Sequence, residues 1–113
     1  MKVIDVYEQY FEGYAEANGV ERHGAQVLLI ATSEDGNIKY EIAVNFFPHT
    51  EEDPFAISYD AYTAKELYNA KGRRSKKREE AYLELLRGMA DELAASVGGT
   101  IDWDRPLIEA RRG

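Results

Sequence analysis

The chain has 113 residues, 44% hydrophobic and 31% charged, with a net charge of −7 and no cysteine. That length suits one domain with a modest core, and the composition excludes a disordered chain, a disulfide scaffold, a thiolate metal site and a cysteine nucleophile. An acidic surface repels bare phosphate backbone and disfavours nucleic-acid binding over the molecule as a whole.

The first segment, residues 3–17, has Ile4, Tyr7, Phe11 and Tyr14 at helical spacing, with Asp5, Glu8, Glu12 and Glu16 on an adjoining stripe. The spacing predicts an amphipathic helix capped at Asn18–Gly19. Two strands are predicted next, AQVLLIAT (25–32) and IKYEIAVNFF (38–47), joined through Asp35–Gly36, a hairpin signal. The second alternates: Ile38, Tyr40, Ile42, Val44 and Phe46 take one face, and Lys39, Glu41 and Asn45 the other. PHTEEDP (48–54) reads as a loop and FAISY (55–59) as a short third strand.

Two helices follow. Asp60 or Thr63 can cap the first, Thr63 having capping-box spacing to Glu66, and it ends near Gly72. The second starts after Ser75 and runs to about Val97, with Tyr82, Leu85, Leu86, Met89 and Leu93 as its apolar stripe and Gly98–Gly99 as its stop. The expected fold is therefore α+β, ordered α-β-β-β-α-α. A three-stranded antiparallel sheet is covered on one face by helices in residues 1–97, and a tail at 98–113 packs on this domain or extends from it.

Charge is distributed unevenly. Residues 1–70 hold 13 acids and 4 bases, residues 71–78 (KGRRSKKR) hold six bases and no acid, and residues 79–113 hold 8 acids and 4 bases. The basic run places Lys76, Lys77 and Arg78 in the first turn of a helix, where the dipole disfavours cations. It offers Arg73, Arg74, Ser75, Lys76, Lys77 and Arg78 as an anion or nucleic-acid site, against the plainer reading of a solvated connector paired to the chain's own acids. The acidic stripe Asp5, Glu8, Glu12 and Glu16 offers the opposite function. Carboxylates about 5–6 Å apart on a helix can stand in for phosphates, and Glu34, Asp35, Glu51, Glu52 and Asp53 extend the pattern. Tyr62 and Tyr68 are candidate interface aromatics. Trp103 reads as a tail anchor packed on the body.

Catalytic signatures are poor. His23 and His49 have no spaced partner, and there is no P-loop, dinucleotide fingerprint or nucleophile elbow. No enzyme activity, cofactor or metal is expected. No apolar run approaches a membrane span and the N-terminus lacks a signal-peptide pattern, so a cytoplasmic protein is expected, a monomer or weak homodimer.

Two resemblances extend this reading. GRRSKKREEAYLELL (72–86) resembles the start of the last helix of double-stranded RNA-binding domains, in which a Gly-rich lead-in precedes Ser-Lys-Lys-x-Ala-Lys. Ser75, Lys76 and Lys77 match, whereas Glu79 replaces an alanine and Glu80 a phosphate-contacting lysine. That resemblance implies an α-β-β-β-α fold and duplex-RNA binding through residues 73–78. In size, charge, lack of cysteine and expected element order the chain also resembles phage-encoded anti-CRISPR proteins. This second likeness implies an inhibitor whose Asp and Glu side chains occupy a basic nucleic-acid groove on a Cas effector, in a bacterial cytoplasm.

Overall fold

The computed structural model describes residues 2–17, 20–48 and 61–106. Its elements are β1 (Lys2–Ala17), β2 (Val20–Glu34), β3 (Asn37–Pro48), β4 (Ala61–Lys71), α1 (Lys76–Ser96) and β5 (Thr100–Pro106). The five strands form one antiparallel sheet in the order β4-β3-β2-β1-β5. The expected three-stranded sheet with three helices is thus replaced by five strands and one helix among the described residues.

Residues 3–17 form a strand, not a helix. Val3, Ile4, Val6, Tyr7, Tyr10, Phe11 and Tyr14 are β-branched or aromatic, types that fit a pleated, half-buried surface. A bulge between Asp5 and Tyr7 inserts one extra residue. Three-residue spacing across a bulge, followed by four-residue spacing, keeps residues on one face of a strand and so imitates a helical stripe. The helix expected from Asp60 or Thr63 to Gly72 is β4, with Asn45 opposite Tyr62 and Val44 opposite Thr63. Local capping chemistry lost there to the free edge of β3, which offers a row of backbone partners that an isolated helix lacks. The strand expected at 55–59 lies outside the described residues.

The β2–β3 hairpin follows the sequence pattern and turns at Asp35–Gly36, both with positive φ. Ala25, Val27, Leu29 and Ala31 of β2 and Ile38, Tyr40, Ile42, Val44 and Phe46 of β3 are buried on one face. Leu86, Ala90 and Ala94 of α1 pack on that face with Phe11 and Ala15 of β1. Each fully buried large side chain contributes about 1.5–3 kcal/mol. Leu85, expected in the helix stripe, is 54% exposed on the outer side.

The helix has distinct ends. The Ser75 hydroxyl accepts from the Arg78 backbone N–H at 3.2 Å. At the other end Gly98, at φ +72°, donates to Ala95 and Gly99 donates to Ala94, the paired bonds of a Schellman turn. That reversal leads the chain into β5 along β1. Trp103 then packs edge-on against Phe11 at 4.8 Å, and its Nε1 donates to Asp91 at 2.9 Å, which anchors β5 to the helix and to β1. Among the described residues no helix is long and apolar enough to cross a membrane.

At the β1–β5 junction the backbone runs close to Phe46. A Cβ on Gly13 would stand 2.8 Å from the Phe46 ring and 3.1 Å from the Thr100 carbonyl oxygen. Because Phe46 is fully buried, Gly13→Ala is expected to cost about 1–3 kcal/mol of stability by overpacking. A urea midpoint lowered with unchanged slope is the expected result.

Candidate functional site

The helix lies on one face of the sheet. Among the described residues no element covers the other face, and two candidate surfaces follow: this uncovered face and the basic run at the start of α1.

The basic run is built around a buried carboxylate. Glu79 is 8% exposed. It accepts two bonds from Arg74, at 3.1 and 3.0 Å, and one from the Tyr40 hydroxyl at 2.6 Å. The Tyr40 oxygen in turn accepts from the Ser75 backbone N–H at 3.0 Å. The Arg74 guanidinium holds the Glu79 carboxyl below the usual glutamate range, against the opposing effect of burial, with the Tyr40 bond adding to the lowering. Burial, then the bond to Glu79, pushes the Tyr40 phenol up. Arg78 lies over the Tyr68 ring at 4.3 Å. Of the six predicted anion-binding residues, Arg74 is thus committed to an internal ion pair, Ser75 to the cap and Arg78 to an aromatic ring. Arg73, Lys76 and Lys77 are exposed. Glu79, which replaces an alanine in the resemblance to RNA-binding domains, is the anchor of the segment. The α-β-β-β-α order implied by that resemblance is not the order observed.

The acidic residues are redistributed. Glu8 and Glu12 project from the uncovered face of β1, and strand geometry sets them about 13 Å apart instead of the 5–6 Å expected on a helix. Asp5 and Glu16 lie on the same strand, Asp5 beside the bulge. Glu34 and Asp35 are exposed at the β2–β3 turn. There they join Thr32, Asn37, Lys39 and Asn69 around an open polar depression of about 380 Å³. Glu51, Glu52, Asp53 and His49 lie outside the described residues. Tyr62 is 56% exposed on the uncovered face. Tyr68 takes the helix side, half-buried and 6.4 Å from Tyr40, and so stands apart from the acids.

What the sequence reading missed is the rest of the uncovered face. Glu41 stands opposite Glu66, and Glu12 opposite Asp102. Like charges directly opposite are destabilising. Single bases relieve them in part: Lys39 at 3.3 Å from Glu41 and Arg105 at 3.6 Å from Asp102. Between the acids lies an apolar and aromatic centre of Leu28, Ile30, Ala43, Tyr10 and Phe47, the last two meeting edge-on at 6.3 Å. Gln26 donates to Glu8 at 2.9 Å and to the Tyr10 hydroxyl at 3.0 Å. Burial and then the Glu8 charge push the Tyr10 phenol up. The alternation of Lys39, Glu41 and Asn45 marked this face on β3, but β1 and β4 were read at the wrong period.

The chain matches no family model, no curated protein and no solved structure. Among the described residues no group of three or more His, Asp or Glu side chains could hold a metal ion.

The Glu79 cluster has a pH signature. A carboxylate whose folded pKa is depressed contributes stability that is present above its ordinary value of 4.5 and lost as pH falls through the folded value. Glu79→Gln is expected to cost about 1–3 kcal/mol at pH 7 in urea melts. The gap to wild type should narrow as pH falls below 4.5. A gap that stays constant down to acid unfolding would show that the charge on Glu79 contributes nothing.

Proposed function

We propose that this protein is a protein-binding module that presents its uncovered sheet face to a basic surface on a partner. The observation that carries the reading is the make-up of that face: an apolar and aromatic centre rimmed by Glu8, Glu12, Glu41, Glu66 and Asp102. Among the side chains described there, the bases are Lys39 and Arg105, both paired to acids, and Lys71 at the strand end. Opposed like charges are a cost to the isolated fold, and a cationic partner converts that repulsion into attraction. Charge of this kind steers encounter and sets orientation, while buried aromatic area holds the complex.

In its finer form the proposal makes the chain an inhibitor, of the anti-CRISPR kind, that occupies a basic groove otherwise holding nucleic acid. The sign of the rim charge and its concentration on one face support that form. Duplex-RNA binding through residues 73–78 has less support, because Arg74 and Arg78 are already engaged within the chain.

The test begins with proteins captured on the immobilised chain from a lysate of the source organism. With the captured partner purified, Glu8→Lys/Glu12→Lys/Glu66→Lys is expected to slow association about tenfold or more at low salt. Lys76→Glu/Lys77→Glu should leave the rate unchanged or raise it. The opposite ranking of the two variants would move the interface to the basic run and overturn the proposal.

A further inference from the structure

Four side chains of the uncovered face stand in one row across the sheet. Tyr10 of β1 is opposite Gln26 of β2, Gln26 is opposite Asn45 of β3, and Asn45 is opposite Tyr62 of β4. With strands about 4.8 Å apart, the row is about 15 Å long, with a tyrosine at each end and two amides between. On β2 the next residue of this face on one side is Gly24, and on β3 and β4 the next on the other side are Ala43 and Ala64. Small residues at those three places leave the amides low between taller aromatic groups, Phe47 among them.

We propose that this row is a binding site for an arginine side chain presented by a protein partner. It rests on the reading above that this face receives a basic protein surface, and it names the group that surface inserts. The hydrogen bonding shows which atoms remain to be matched. Gln26 uses Nε2 on Glu8 and on the Tyr10 hydroxyl, so both its donors are spent and its Oε1 remains as an acceptor. Asn45 Oδ1 has no donor among the described residues and lies beneath the surface, so the amide turns outward to meet a ligand. Glu8 has no ion pair with a described cation, its bond from Gln26 being to a neutral amide. Three acceptors of the row and its rim therefore remain to be matched, Gln26 Oε1, Asn45 Oδ1 and the Glu8 carboxylate. Its complement is a cation with several donors in a plane and faces that stack on aromatic rings, which describes a guanidinium. An ammonium supplies the charge but neither the plane nor the stacking, so lysine is a poorer match.

The test is a titration of the ¹⁵N-labelled full chain at low salt, followed by nuclear magnetic resonance. One probe is a seven-residue peptide of alternating glycine and arginine, and the other has lysine in place of arginine. The side-chain amide signals of Gln26 and Asn45 are expected to move with the arginine peptide, which should bind roughly tenfold tighter than the lysine peptide, as one added hydrogen bond to a charged group provides. Gln26→Met, which keeps size and removes the amide, and Tyr10→Phe, which keeps the ring and removes the hydroxyl acceptor, should each bring the arginine peptide down to the lysine value. Equal binding of the two peptides, or shifts that avoid both side-chain amides, would overturn the arginine site while leaving the acidic face as a binding surface. No shift with either peptide would overturn both.

Discussion

One helix can cover one face of a five-stranded sheet, and the rest of the structure follows from that constraint. Helix α1 has 21 residues, about 32 Å at 1.5 Å per residue, laid on a sheet about 20–25 Å wide. Strand alternation sends every second side chain to the helix. Ala25, Val27, Leu29 and Ala31 therefore face Ile38, Tyr40, Ile42, Val44 and Phe46 across the hairpin under Leu86, Ala90 and Ala94. The remaining side chains are delivered to the other face by the same geometry. That face carries acids, amides and tyrosines around Leu28, Ile30, Ala43 and Phe47, with no element over it among the described residues. The interface proposed here is the part of the sheet that folding leaves over.

The basic run shows how tertiary contacts reassign local charge. As a linear stretch, residues 71–78 look like an anion site at a helix start. In the fold, Glu79 turns inward, Tyr40 reaches it from near the start of β3, and Arg74 closes on it from outside. A carboxylate in a helix's first turn complements the dipole, and here it also ties the helix start to the sheet. Arg78 stacks on Tyr68 of β4. Three residues of the segment that looked directed outward, Arg74, Ser75 and Arg78, are used to join the helix to the strands.

The hairpin and α1 were legible because their signals are local: a period of two over β3, Asp35–Gly36 at the turn, and Ser75 and Gly98 at the helix ends. β1 and β4 were not. On β1 the bulge after Asp5 makes a strand repeat at 3 and 4, the arithmetic of a helix. On β4, Thr63 and Glu66 have capping-box spacing, yet the deciding partner is β3, whose edge pairs from Phe46 to Asn37. The candidate site was half legible for the same reason. Glu8, Glu12 and Tyr62 were selected by residue type, whereas Glu41, Glu66, Gln26 and Asn45 gained significance only as cross-strand neighbours.

By itself, the sequence determined which residues turn, which end the helix and which alternate along β3, because propensity and period act within a few residues. It also determined an acidic chain with one basic segment, because charge is additive. Only the tertiary structure decided that the first segment is a strand, that Glu79 binds both Arg74 and the hydroxyl of a buried tyrosine, and that two tyrosines and two amides share a row. Those outcomes depend on register between strands far apart in sequence, and register is set by burying one common face beneath one helix.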